Sequence, residues 1–385
     1  MAKIKFGEIL LADGLIRGPF GSDMKKSLFV NESKDAIKVL TQENVFEEDQ
    51  NLGSYFITKD YFERMKRFEV LDKDFLITCD GTLGRITFID TLYRKSVINS
   101  SLLIIRVDPT KVDYWYFYYF WKFYLCDAIT KRNVNSCLKH LPSLDVIKAE
   151  EIDIPNIEEQ KRIAIFLRQY DKKINCNKRV VDVLSNKIKD SLSFYYSELE
   201  KVDYKTVVLE KYVEPVNKPY DSSEIVPLID LSIMESGSLL IKNLSSSDKF
   251  DTNLKVMEKG NILFGSIRPY LKKCCLAFKN GAVTGTVIQF KVKEKGCRNF
   301  IFANMISDSF FNYAVNYSTG TKMPVVKSKD LLKFPLKIND AMLNDFENKN
   351  DYMDLLMTLL DENVYLDKII KTLAPLLLDK KLILE

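Results

Sequence analysis

A run of seam-type residues spaced alternately four and three apart, Ile163, Leu167, Tyr170, Ile174, Asn177, Val181, Leu184, Ile188, Ser191 and Tyr195, constrains this chain more than any other feature. Heptad spacing of this kind predicts a helix that buries one stripe against another helix. No Gly or Pro interrupts it before Glu200, so at 1.5 Å per residue it would run for roughly 60 Å. Its start is well marked. Pro155 ends an extended run, Asn156 is placed to cap the first exposed N–H groups, and Glu159 completes a capping-box-like arrangement. Asn177 and Ser191 weaken the seam but can fix its register. The stripe is either the spacer of a coiled coil, which its length favours, or a long helix inside one large domain.

A coiled coil needs a partner, and the same chain contains one. From Asn339 to Leu384 the pattern returns as Leu343, Phe346, Met353, Met357, Leu360 and Val364, then shifts to Leu366, Ile370, Leu373 and Leu377, with Pro375 expected to kink or end the helix. The segments before the two helices also correspond. "DFLITCDGTLGRITFI" from Asp74 parallels "NILFGSIRPYLKKCCLAF" from Asn261, 187 residues on. "NSSLLIIRV" from Asn99 parallels "TGTVIQFKV" from Thr284; "IKVLTQENV" from Ile37 parallels "IVPLIDLSI" from Ile225; and "LDVIKAEEIDIP" from Leu144 parallels "SKDLLKFPLKI" from Ser328. Four blocks in one order at nearly one offset indicate a tandem duplication. Each copy is a mixed globular domain followed by a long helix: 1–155, helix 156–202, 203–338 and helix 339–385. A chain of 385 residues suits two such cores better than one.

Absences narrow the chemistry. The sequence shows no signal peptide or membrane span; its most apolar run, "YWYFYYFWKFYLC" from Tyr114 to Cys126, is too short, contains Lys122 and reads as a core helix packed on the sheet. Seven cysteines, Cys79, Cys126, Cys137, Cys176, Cys274, Cys275 and Cys297, never occur as C-x-x-C and read as reduced, mostly structural thiols of a cytoplasmic protein. With His140 the sole histidine, a structural zinc site, a His-based triad and a zinc-protease motif are all disfavoured. His140 itself, between Lys139 and Leu141, reads as loop filler. "GTLGR" and "STGTK" have too few glycines at the wrong intervals to cradle phosphates, and no G-x-G-x-x-G follows a strand. An enzyme is not supported, and neither a metal nor a cofactor is expected.

A two-headed binding protein remains. Net charge of +4 and a pI near 8.4 are only mildly basic, so clustering matters more than the total. In the first copy, cations and small polar donors gather at "RGPFGSDMKK" (Arg17 to Lys26), at Arg85, at Arg94 and Lys95, and at "TKRNVNSCLKH" (Thr130 to His140). In the second they gather at "SIRPYLKK" (Ser266 to Lys273) and "STGTKMPVVKSK" (Ser318 to Lys329). Loops beside strands suit recognition, because a rigid sheet holds side chains that contact phosphates or read base edges.

These segments resemble the specificity (S) subunits of type I restriction-modification systems, over essentially the whole chain. "DFLITCDGTLGR" is similar to the strand-turn segment of the family's target recognition domain, and "IDIPNIEEQKRIAIFLRQYDKKI" to the start of its long helix. "GPFGS" looks like the opening loop of such domains, and "GNILFGSIRPYLKK" like a second-domain variant. The second copy departs from the pattern, since "FPLKINDAMLND" lacks the Pro-x-x-Glu-Glu-Gln junction of the first. The resemblance implies an α+β fold: two mixed α/β target recognition domains in tandem, joined by two long antiparallel coiled-coil helices with pseudo-two-fold symmetry. It implies a non-catalytic subunit that reads a split sequence in double-stranded DNA. Methyl transfer would fall to two modification (methyltransferase) subunits that use S-adenosylmethionine, and cleavage to ATP-dependent restriction subunits. Helices of about 60 Å would separate the half-sites by one to two duplex turns of about 34 Å.

Cluster and loop context selects Arg17, Ser22, Lys25, Lys26, Arg85, Lys131, Arg132, Asn135 and Lys139 as DNA-binding candidates in the first head. In the second it selects Arg268, Tyr270, Lys272, Lys273, Thr321 and Lys322. Two other classes stay open. A coiled-coil adaptor would bind proteins without salt-sensitive DNA affinity, and an enzyme with an unrecognised site would act as a single chain.

Overall fold

Hydrophobic runs bounded by turn residues become short strands, and their order is what repeats. In the first copy these are β1 (Ile4–Lys5), β2 (Leu10–Arg17), β3 (Ile37–Leu40), β4 (Phe56–Ile57), β5 (Glu69–Val70), β6 (Phe75–Thr78), β7 (Ile86–Phe88), β8 (Ser96–Ile98), β9 (Leu102–Val107) and β10 (Glu151–Ile152). The second copy has β11 (Lys205–Val208), β12 (Val213–Pro215), β13 (Pro227–Ile229), β14 (Ser245–Ser246), β15 (Lys255–Met257), β16 (Ile262–Gly265), β17 (Cys274–Leu276), β18 (Gly281–Val283), β19 (Val287–Val292) and β20 (Pro335–Ile338). The structure is a computed structural model that describes residues 3–131, 140–221, 223–241, 244–250, 253–379 and 381–383.

Sheet topology is the same in both copies. The first has β1-β10, β2-β9-β6-β7 and β4-β3-β8-β5; the second has β11-β20, β12-β19-β16-β17 and β14-β13-β18-β15. Even the one parallel pairing recurs, β3 with β8 and β13 with β18, in sheets otherwise antiparallel. Weakly similar sequences therefore encode one topology twice, as the duplicated blocks predict.

The chain divides into two compact units, residues 1–170 with 369–385, and residues 171–368. In the first unit, Phe75 of β6 lies 4.7 Å from both Phe88 and Phe117, ring centre to ring centre. Phe117 belongs to the aromatic run, which forms a helix (Tyr114–Phe120) continuing through a wide π-type turn (Trp121–Leu125) into a second helical stretch (Cys126–Lys131). The run is a core helix on the sheet, as its composition predicts. In the second unit Phe264 of β16 packs on Phe310 and Phe311 of a helix (Asp308–Asn316) in the corresponding way. Each fully buried Phe contributes roughly 2–3 kcal/mol.

The central helix runs from Ile157 to Leu199, 43 residues, and Asn156 accepts the Glu159 N–H at 2.9 Å as its cap. All ten predicted seam positions are buried or half-buried. Within the second unit it pairs antiparallel with the C-terminal helix: Asn177 bonds Glu362 and Asn363, whereas Ser191, further along, bonds Tyr352.

The C-terminal segment differs from the single helix expected. It forms two, Asp340–Lys349 and Tyr352–Leu378, separated at Asn350. Asn299 explains the break, since its Oδ1 accepts the N–H groups of Tyr352 and Met353, both at 3.2 Å, and so caps a fresh helix. Pro375 lies inside the second helix, which continues to Leu378. A proline this close to a C-terminus removes a single helical bond, and the Asp379 N–H donating to the Pro375 carbonyl at 2.9 Å closes the turn.

Candidate nucleic-acid interface

Four strand ends meet at one edge of the β2-β9-β6-β7 sheet. Arg17 sits opposite Leu103, Thr78 opposite Leu102, and Ile77 opposite both Leu103 and Ile86. The loops leaving this edge are therefore neighbours although far apart in sequence: Gly18 onward, Cys79 to Arg85, and the turn at 99–101. A β-carbon on Gly18 would fall 1.9 Å from the Asn99 carbonyl oxygen, so the opening of "GPFGS" requires glycine to pass that turn.

The loop between β6 and β7 is tied from inside. Thr78 Oγ1 donates to the Thr82 carbonyl at 2.5 Å and accepts the Arg85 N–H at 3.1 Å, while the Gly84 N–H donates to the Thr78 carbonyl at 2.8 Å. Buried Trp121, in the wide helical turn, donates its indole N–H to the Gly84 carbonyl at 2.8 Å. Gly84 has φ +75°, and a β-carbon there would meet Cys126 Sγ at 2.0 Å. Helix and loop are thus keyed together, and Arg85 projects into solvent from a fixed base. Burial pushes the Cys79 and Cys126 thiols up to about 11, which fits structural rather than reactive roles.

The second unit builds the same edge. Ser266, just after β16, donates its N–H and its hydroxyl to the Thr286 carbonyl at 3.0 and 2.7 Å, as the Cys79 N–H donates to the Ser101 carbonyl at 2.9 Å. A ribbon crosses each edge. In the second unit the Arg268 N–H donates to the Pro324 carbonyl at 2.8 Å and the Val326 N–H to the Ser266 carbonyl at 3.0 Å. In the first, the Leu141 N–H donates to the Cys79 carbonyl at 3.0 Å and Asp80 bridges His140.

The candidate side chains divide by their surroundings. Ser22, Lys25, Lys26 and Arg85 are exposed. Arg17 is half-buried, 3.6 Å from Asp80. Lys131 ends the aromatic helix, and Arg132, Asn135 and Lys139 lie outside the described residues. In the second unit Arg268, Tyr270, Thr321 and Lys322 are exposed, and the ribbon brings their two segments together. Arg268 and Lys272 both adopt left-handed backbone, φ +51° and +52°, on either side of the short turn Pro269–Leu271 that carries Tyr270. Lys272 and Lys273 turn to protein partners instead: Lys272 pairs with Asp308 at 2.5 Å, and Lys273 donates to the Leu231 carbonyl at 2.6 Å. Arg94 likewise folds inward, onto the carbonyls of Ser33 and Ala36.

Sequence reading missed Gln160, Glu347 and Asp80. Gln160, fully buried, accepts the Asp113 N–H at 2.9 Å and donates to the Pro155 and Lys111 carbonyls, joining the central helix to the start of the aromatic helix. The second copy has Leu343 where register would place that glutamine. Glu347 does the corresponding work, accepting the N–H groups of Asn299 at 3.2 Å and Phe300 at 2.6 Å. The departure from the Glu-Glu-Gln junction is therefore compensated by a carboxylate one helical turn later.

Residues 22–186 match the family model described as Type I restriction modification DNA specificity domain. That stretch is similar to a type I DNA specificity domain. Over 77 residues, 20% of the chain, it is 30% identical to the type I restriction enzyme EcoDI specificity subunit of Escherichia coli, a stretch that spans 17% of that relative's length. The fold as a whole is similar to the S subunit of a type I restriction-modification system from M. genitalium, with TM-score 0.53 and 14% identity, covering 100% of this chain and 96% of that one. The matched stretch takes in β3 to β10, the aromatic helix and most of the central helix, and begins after Arg17 and Gly18. Among the described residues no helix is long and apolar enough to cross a membrane, and no group of three or more His, Cys, Asp or Glu side chains is placed to hold a metal.

Proposed function

We propose that this chain is the specificity subunit of a type I restriction-modification complex. It reads a split target in double-stranded DNA with two heads, residues 1–155 and 203–338, and carries modification and restriction subunits on the helices at 156–202 and 339–385. It works in the cytoplasm, where such DNA is accessible. The observation that carries this reading is the repeated sheet edge, where exposed cations and polar groups stand on loops fixed by the same backbone bonds in both units. Lys25, Lys26, Arg85 and Lys322 suit phosphate contacts, which set affinity, while Arg268, Tyr270 and Thr321 beside the ribbon suit groove contacts, which set sequence. Methylating a base requires flipping it from the stack into an enclosed pocket, and that chemistry belongs to the modification subunits in this reading.

Selection from randomised duplex DNA tests it, with the chain alone and again with a modification subunit. Two short motifs at one fixed separation are expected. A folded chain that enriches nothing in either condition would instead be a protein-binding adaptor.

A further inference from the structure

Resting on the DNA-reading role above, we propose that Asp80 is a positioning residue that orients Arg17 to read a guanine in the first half-site, with His140 closing the other side of the carboxylate. Asp80 follows β6 at the sheet edge, and its backbone is fixed twice: it bridges His140, and its carbonyl accepts Gln42 Nε2–H at 2.6 Å. Its Oδ1 lies 2.6 Å from His140 Nδ1 and 3.6 Å from Arg17 Nη2, while Arg17 Nη1 lies 3.5 Å from the Leu141 carbonyl oxygen. An ionised carboxylate only accepts, so this contact holds the imidazole with its proton on Nδ1.

The Arg17 contacts to Asp80 and Leu141 are long, and its third neighbour is the Cys79 thiol. They orient the guanidinium plane without saturating its donors, and a base edge presenting two acceptors competes well for them. Guanine, with N7 and O6, is that edge, and a planar fork matches it bidentately. A carboxylate near DNA phosphates would repel them unless its charge were committed, and here one oxygen faces both Arg17 and His140. The fold does not demand this arrangement. The corresponding bridge of the second unit joins Ile267 to Val325, two apolar residues, and the ribbon forms there all the same.

The test is selection with the complete chain, together with a modification subunit, on randomised duplex DNA, comparing Asp80→Asn with the unaltered protein. The expected result is about tenfold weaker discrimination for guanine at one position of one half-site, with the other half-site unchanged. Arg17→Ala should erase the same preference, Asp80→Asn should add nothing in that background, and Asp80→Glu should restore part of it. The unaffected half-site reports within each experiment that the variant is folded. Loss of both half-sites together with a lowered melting temperature would make Asp80 merely structural and overturn the proposal. So would an unchanged guanine preference, or a first half-site without a preferred guanine. Enrichment of no motif by the unaltered chain would overturn the DNA-reading role itself.

Discussion

Buried polar side chains do more in this protein than its heptads suggest, and Gln160 is the clearest case. Three bonds to the backbone of Pro155, Lys111 and Asp113 converge on a side chain with no solvent exposure. Gln160→Leu would keep the volume but strand those groups, so it should cost about 1–3 kcal/mol, read as a shifted denaturant midpoint at unchanged slope. Glu347 makes a different prediction. Burial pushes its carboxyl above the usual glutamate range, against the lowering effect of the Phe300 and Asn299 donors. The folded state then keeps this proton to a higher pH than the unfolded chain does. Stability from this group should therefore fall as pH rises through the range just above the ordinary glutamate value. Glu347→Gln, which cannot titrate, should flatten that part of the profile in pH-dependent unfolding. Neither residue was legible in the sequence, because a polar residue on a helix looks like an ordinary cap or solvated side chain until its distant backbone partners are known.

At the scale of elements, the long helices were the most readable part of the chain. Their stripes follow from periodicity alone, and Asn156 caps as its position predicts; Asn339 also caps, accepting the Ala341 and Met342 N–H groups. Asn177 on the seam is 2% exposed and bonds Glu362 at 2.7 Å and Asn363 at 2.9 Å, while Lys173 pairs with Glu362 at 3.3 Å. A polar cluster of this kind admits one register, because any slip leaves it facing apolar neighbours. Asn177→Ala should cost about 1–3 kcal/mol in thermal or denaturant unfolding. Asn177→Leu paired with Asn363→Leu should recover much of that stability, and hydrogen exchange along the helix pair should show whether register is lost. The break at Asn350 was invisible in the sequence, since the seven-residue step from Phe346 to Met353 keeps heptad phase. Only Asn299, supplied from another helix, caps the second helix and makes the interruption favourable.

For the whole molecule, the proposed two-headed reader makes spacer length a mechanical quantity. Inserting one heptad at matched positions of both long helices adds roughly 10 Å of rise, which should lengthen the preferred gap between motifs by about three base pairs. Selected motifs that keep their identity while their separation changes would bear this out; an unaltered gap would refute the ruler. What the sequence by itself determined was the duplication, the heptad stripes, the start of the central helix and the absence of familiar catalytic motifs, because periodicity and local capping depend on residues close in the chain. What only the tertiary structure decided was which distant segments share the sheet edge and which cations stay exposed there. Lys272, Lys273 and Arg94 look the same in sequence as Arg85 and Arg268, yet the first three are drawn to carboxylates or carbonyls from other elements. A side chain's availability to a ligand is set by its competing partners, and those partners become neighbours only when the chain folds.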